Sequence, residues 1–166
     1  MKSFNYCLLL LAIVCSSCSK NDTIEDVSII GEWELTEWRV GLEADINKDG
    51  VFNLNLLDEV DCDNSEIITF DADNTISLVI EYNPKIYVTS NENTGDYQFH
   101  LRCDEGIIGA SSTYVVSNNT IEAFGGTYYK DNNLLIVTTG YAIEVYNEDL
   151  TEIIGVLTSE KTYTKL

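Results

Sequence analysis

One short stretch of the chain combines residue types and spacing that could do chemistry. Asp45-Ile46-Asn47-Lys48-Asp49-Gly50-Val51-Phe52-Asn53 sets oxygen ligands at alternate positions. Gly50 falls sixth, where the chain must turn sharply. The side chains of Asp45, Asn47, Asp49 and Asn53 and the carbonyl of Val51 could then converge on one hard cation, as the first nine positions of a calcium loop do. The twelfth position calls for a bidentate Glu but is Leu56, so Asp58 or Glu59 would have to serve from a following helical turn. Calcium held this way would bind in the range of ~10⁻⁴–10⁻³ M and would order the loop rather than react. The same residues also suit a plain acidic turn. No other cofactor is expected.

The search for catalysis returns little. There is no Gly-x-Ser-x-Gly, no phosphate-cradling glycine loop and no His-Glu-x-x-His. A single His, His100, excludes a multi-histidine metal site. With 28 acids, carboxylate pairs for glycoside hydrolysis can be drawn many ways. However, Glu32, Glu34 and Glu37 fall on the wet side of an alternating pattern, and the acids of residues 58–66 read as a solvated loop. No catalytic residue is assigned, and the chain is not expected to be an enzyme. A formal charge of −19 excludes a generic nucleic-acid binder, because this surface repels phosphate. Tyr128-Tyr129, after Gly125-Gly126, is the first candidate for an exposed aromatic platform.

The N-terminus reads as a targeting segment. Lys2 precedes the apolar run from Tyr6 to Val14, which is too short to span a bilayer but suits a signal-peptide core. Val14-Cys15-Ser16-Ser17-Cys18 resembles the lipobox of bacterial lipoproteins, which implies lipidation at Cys18 and anchoring in a membrane. Ser19-Lys20-Asn21-Asp22 resembles the tag of surface-exposed lipoproteins of the Bacteroidota. The resemblance implies an outer-membrane lipoprotein with display at the cell surface. The expected organisation is a signal peptide over 1–17, a lipidated and acidic tether over 18–28, and one domain over 29–166. With Cys18 lipidated, Cys62 and Cys103 remain in an oxidising compartment, and a disulfide between them follows. Closing a loop of that length is worth roughly 3–4 kcal/mol by chain-entropy arguments.

The elements that must position these residues read as strands. Gly31-Glu-Trp33-Glu-Leu35 alternates acid with apolar residue. Ile67 to Phe70 and Thr75 to Tyr82 flank the turn Asp71-Ala-Asp73-Asn74 and predict a hairpin. Asn83-Pro84 predicts another turn. Tyr97, Phe99 and Leu101 alternate inward against Gln98, His100 and Arg102. Further strands follow at Ser112–Val116, Ile121–Phe124, Leu134–Thr139, Ala142–Tyr146, Ile153–Thr158 and Thr162–Leu166. About ten short strands separated by turn signals predict an antiparallel sandwich or barrel. Leu54 to Val60 could form a helical turn or two.

Gly31-x-Trp33 on the first strand resembles the signature of lipocalins. The order of Gly31-Glu-Trp33-Glu-Leu35-Thr36, Asp45-Ile-Asn47-Lys-Asp49-Gly50, Cys62 with Ile68-Thr69-Phe70-Asp71-Ala72-Asp73, and Thr162-Tyr163-Thr164-Lys165 is similar to the lipocalin-like lipoprotein domain of the Bacteroidota. The resemblance implies an all-β, antiparallel up-and-down barrel of about 8–10 strands, with Gly31 and Trp33 as its plug. Lipocalins usually set an Arg of the last strand over the Trp; here only Lys161 and Lys165 are available, and a Lys can make the same cation–π contact. The expected function is a monomeric, lipid-anchored barrel holding a small apolar molecule. The alternative is a barrel with a filled core whose loops contact an envelope protein or glycan.

Overall fold

The computed structural model describes residues 28–63, 65–91 and 93–166, apart from the side chains of Tyr82 and Tyr141. The expected signal peptide, the lipidation site Cys18 and nearly all of the tether lie outside the described residues.

The chain is all-β. Its strands are β1 (Gly31–Arg39), β2 (Ser65–Phe70), β3 (Thr75–Ser90), β4 (Tyr97–Thr113), β5 (Val115–Ser117), β6 (Thr120–Ala123), β7 (Gly126–Asp131), β8 (Leu134–Asn147) and β9 (Ile153–Lys165), with one 3₁₀ turn at Leu56–Glu59. They form a nine-stranded sheet in the order β4-β3-β2-β1-β9-β8-β7-β6-β5. All neighbours in that order are antiparallel, since short turns join most of them. The far end of β3 also pairs in parallel with β8, Val88 opposite Val145. The two ends of the strand order, β4 and β5, are separated in the chain only by Tyr114. Tyr114 is buried; its N–H donates to the Asn74 carbonyl at 3.0 Å and its hydroxyl to the Asp71 carbonyl at 2.8 Å.

The alternation seen in the sequence sets the faces. Trp33 and Leu35 point inward from β1; a register shift between Leu35 and Glu37 then brings Trp38 inward too. The hairpin turn at residues 71–74 places Asn74 at positive φ, which asparagine tolerates. Asn83-Pro84 is not a turn. It lies within β3, where the register shifts between Glu81 and Asn83, and Pro84 sits opposite Cys103. A proline lacks the ladder donor, and a bulge is where a strand accommodates one.

Buried side chains form two clusters. One is built around Trp33, Ile68, Phe70, Ile76, Ile121, Leu135 and Tyr163. The other gathers Trp38, Val88, Phe99, Ile143 and Val145 with Ala44, Ile46 and Leu56 from the long β1–β2 connection. Cys62 and Cys103 form a disulfide with Cα atoms 5.8 Å apart, tying that connection to β4.

Candidate functional site

Between the two clusters lies a cavity of about 1030 Å³. Its lining is mixed: Leu35, Leu78, Ile80, Ile86, Val137 and Ile143 stand beside polar and charged side chains, among them Asn83, Lys85, Arg102, Thr139 and Glu144. A polar group at its floor comes from four strands. On β2, period-two alternation turns Glu66 inward with Ile68 and Phe70. On β9 the same alternation turns Ser159, Lys161 and Tyr163 inward. β7 contributes Tyr128, and β1 contributes Trp38 after its register shift.

Glu66 is only 7% exposed and takes two donors. Lys161 Nζ lies 2.5 Å from its Oε2, and the Tyr163 hydroxyl donates to its Oε1. Lys161 is also the register partner of Trp38, which places its Nζ 5.1 Å from the Trp38 ring centroid. Burial, followed by the Glu66 charge, pushes the Tyr163 hydroxyl far above the ordinary tyrosine range; the same two causes raise Tyr128. Both therefore remain protonated donors at neutral pH. Tyr128 has no side-chain hydrogen bond to any described residue. At the rim, the Tyr146 hydroxyl donates to Glu144, and Asp104 is held by Lys85 at 2.6 Å and Arg102 at 2.8 Å. Those two cations keep the Asp104 carboxyl below its usual range, Lys85 contributing most.

The sequence reading placed the acids of residues 58–66 in a solvated loop, and the structure corrects this. Glu66 is buried because it shares the strand parity of Ile68. Glu59 is fully buried because it closes the acidic loop: its carboxylate accepts from the backbone N–H of Ile46 at 2.9 Å and from Asn53 Nδ2 at 2.6 Å. Tyr128 and Tyr129 do not share a platform either. Strand alternation sends Tyr128 inward, 7% exposed, and Tyr129 outward, 50% exposed.

The loop itself has the turns its spacing implies. Gly50 N–H donates to Asp45 Oδ2 at 3.1 Å, Asp49 N–H to Asn47 Oδ1 at 3.0 Å and Val51 N–H to Asp49 Oδ1 at 2.7 Å. Ile46 and Leu56 are buried in the second cluster and anchor the loop on either side. Leu56 stands where a calcium loop has its Glu because the core needs an apolar side chain there. Asn53 pairs with Ala44 through both backbone hydrogen bonds, and its side chain goes to Glu59. Asp45 Oδ1 and Trp38 Nε1 are buried polar atoms with no hydrogen-bond partner among the described residues. No group of three or more His, Cys, Asp or Glu among them is placed to hold a metal ion.

At the other end, Gly31 and Trp33 meet the last strand. Trp33 is fully buried, its Nε1 donates to the Ile29 carbonyl at 2.8 Å, and Lys165 Nζ lies 5.6 Å from its ring centroid. Lys165 also donates to the carbonyls of Ser28 and Ile30. Gly31 has φ +123°, and a Cβ there would come within 3.4 Å of the Lys165 side chain. The positive φ favours glycine, whereas the contact with Lys165 alone would admit a Cβ.

The floor group was missed in the sequence, apart from Lys161 as a candidate partner for a tryptophan. The available signal was parity: Glu66 lies two residues before Ile68, and Lys161 two before Tyr163. Compared with known protein-family models, curated proteins and solved structures, the chain finds no match.

Proposed function

We propose that this protein is a lipid-anchored, lipocalin-like binder that holds a small apolar molecule in its central cavity. The carrying observation is the cavity of about 1030 Å³ between two packed clusters, where Leu35, Leu78, Ile80, Ile86, Val137 and Ile143 form an apolar stretch of wall. A binding pocket for a small molecule has about this size and sets polar groups among apolar and aromatic side chains. The up-and-down barrel assignment is supported by the strand order, by the chain continuity from β4 to β5, and by Lys165 over Trp33 beside Gly31. The open space favours a binder over a filled barrel that works through its loops. Glu66, Lys161 and Tyr163 at the floor are engaged with one another, which favours binding over catalysis. In this reading the protein is a monomer displayed on the outer membrane through Cys18.

Native mass spectrometry tests the reading. A retained mass of a few hundred daltons, lost on denaturation, is the expected result. A guest-free mass after purification from the source cell and after exposure to a lipid extract sinks it.

A second reading rests on Asp45 Oδ1, buried without a partner in a loop of calcium-type turns. Asp45, Asn47, Asp49 and the Val51 carbonyl would hold weak structural calcium; Asn53 is committed to Glu59. Calcium at ten times its dissociation constant should stabilise the fold by about 1.4 kcal/mol. An unchanged melting temperature in millimolar calcium removes this reading.

A further inference from the structure

We infer that the guest of the cavity is an alcohol: a hydrocarbon body ending in one uncharged hydroxyl group that reaches the Glu66–Lys161–Tyr128 floor. The inference rests on the cavity-binding reading and specifies the chemistry of that site.

The argument starts from charge. Glu66 and Lys161 cancel each other at 2.5 Å, so the floor is neutral as a unit. An incoming carboxylate or ammonium would add an uncompensated charge beside a carboxylate that is already 93% removed from water, since Glu66 is 7% exposed. A carboxylate would compete with Glu66 for Lys161 or with Asp104 for Lys85 and Arg102, and an ammonium would compete with Lys161 for Glu66. A neutral head group avoids that cost.

The second step is hydrogen-bond capacity. An ammonium has three donors, and Lys161 gives one to Glu66 while its charge faces the Trp38 ring. Glu66 has about four acceptor sites and uses two, for Lys161 and Tyr163. Tyr128 lines the cavity with a protonated hydroxyl that no described side chain engages. The floor therefore offers donors and acceptors side by side. A hydroxyl is the smallest group that serves both at once; an ether or ketone can only accept. Leu78, Ile80, Ile86 and Ile143 give a hydrocarbon body an apolar stretch of wall, beside the charged groups of Lys85, Arg102 and Glu144.

The test titrates the protein, disulfide intact, with three probes of matched chain: 1-decanol, decanoate and 1-methoxydecane. Binding is followed by the fluorescence of Trp38, which lines the cavity. Decanol should bind roughly tenfold more tightly than either competitor, about one charge-assisted hydrogen bond's worth of discrimination. Tyr128→Phe keeps the aromatic volume but removes a donor that either oxygen can use, so it should weaken decanol and 1-methoxydecane alike, each roughly fivefold. The double variant Glu66→Gln/Lys161→Met should shrink the preference for decanol, because a neutral amide oxygen accepts more weakly than a carboxylate. Equal binding of all three probes overturns the alcohol inference and leaves the cavity reading standing. Tighter binding of decanoate overturns it too, by showing that Lys161 leaves Glu66 for an anion. Failure of all three to bind removes the cavity reading itself.

Discussion

Glu59 and Glu66 are both buried carboxylates, seven residues apart, and they are satisfied in opposite ways. Glu59 is answered from within its own loop, by the backbone N–H of Ile46 and the side chain of Asn53. Glu66 is answered from the far side of β1, by Lys161 and Tyr163 of β9. One carboxylate fastens a local turn; the other joins distant strands and faces open space. Short of proline, no substitution removes a backbone donor, and a guest does not move it. A side-chain donor can be both. The loop is therefore built to stay as it is, and the floor is the part whose partners can be exchanged.

That contrast can be broken in graded steps. Glu59→Ala should have the largest effect, about 3–5 kcal/mol of lost stability by urea unfolding, because two or more buried donors lose a charged acceptor at once. No single partner substitution can restore it, since one of those donors is main chain. Lys161→Met should cost about 3 kcal/mol by leaving Glu66 buried and unpaired. Adding Glu66→Gln should recover at least half of that loss. If the double variant is no more stable than Lys161→Met alone, the two residues are not coupled as described.

An alkaline titration should act most strongly on the floor, although Tyr114 and Tyr146 outside it are raised as well. The Tyr163 hydroxyl is raised well above its unfolded range, by burial first and Glu66 second. Its contribution is complete below pH ~10; above that the unfolded chain loses a proton that the folded chain keeps, and stability falls by about 1.4 kcal/mol per pH unit. Tyr163→Phe should flatten that slope, and Glu59 variants should not. His100 gives the smallest effect and belongs to neither region. Burial, then the charge of Lys48, lowers its pKa. Below pH ~6.5 the unfolded chain therefore takes up a proton that folded His100 resists, so stability drops modestly on acidification. His100→Gln should remove that drop, as read from melting temperatures between pH 7.5 and 5.

Parity made much of this fold legible. The alternation over Gly31–Leu35 gave a strand with Trp33 inside, and Asp71–Asn74 gave the turn between β2 and β3. Leu54 to Val60 held its short helical turn. Cys62 and Cys103, expected to pair, are bonded. What stayed hidden has one physical cause: strand parity assigns a face regardless of charge, while a reading by composition sends every acid to water. Glu66 and Lys161 sit at inward positions because each brings the other's countercharge, and that pairing depends on register. Register also decides that Lys161 meets Trp38 and Lys165 meets Trp33. Asn83-Pro84 misled for a related reason, since a turn signal inside a long strand marks a bulge.

The junction at Tyr114 divides the chain into two runs of consecutive antiparallel strands. Residues up to 113 supply β1 to β4, and residues from 115 onward supply β5 to β9. The two runs meet along the β1–β9 ladder and the short β3–β8 pairing. Cut at that residue, the protein becomes a pair of fragments, and the cavity becomes the space between them. Glu66 would then belong to one fragment, and Lys161, Tyr163 and Tyr128 to the other. The ion pair at the floor is, in that sense, a bond between two halves that happen to share a chain.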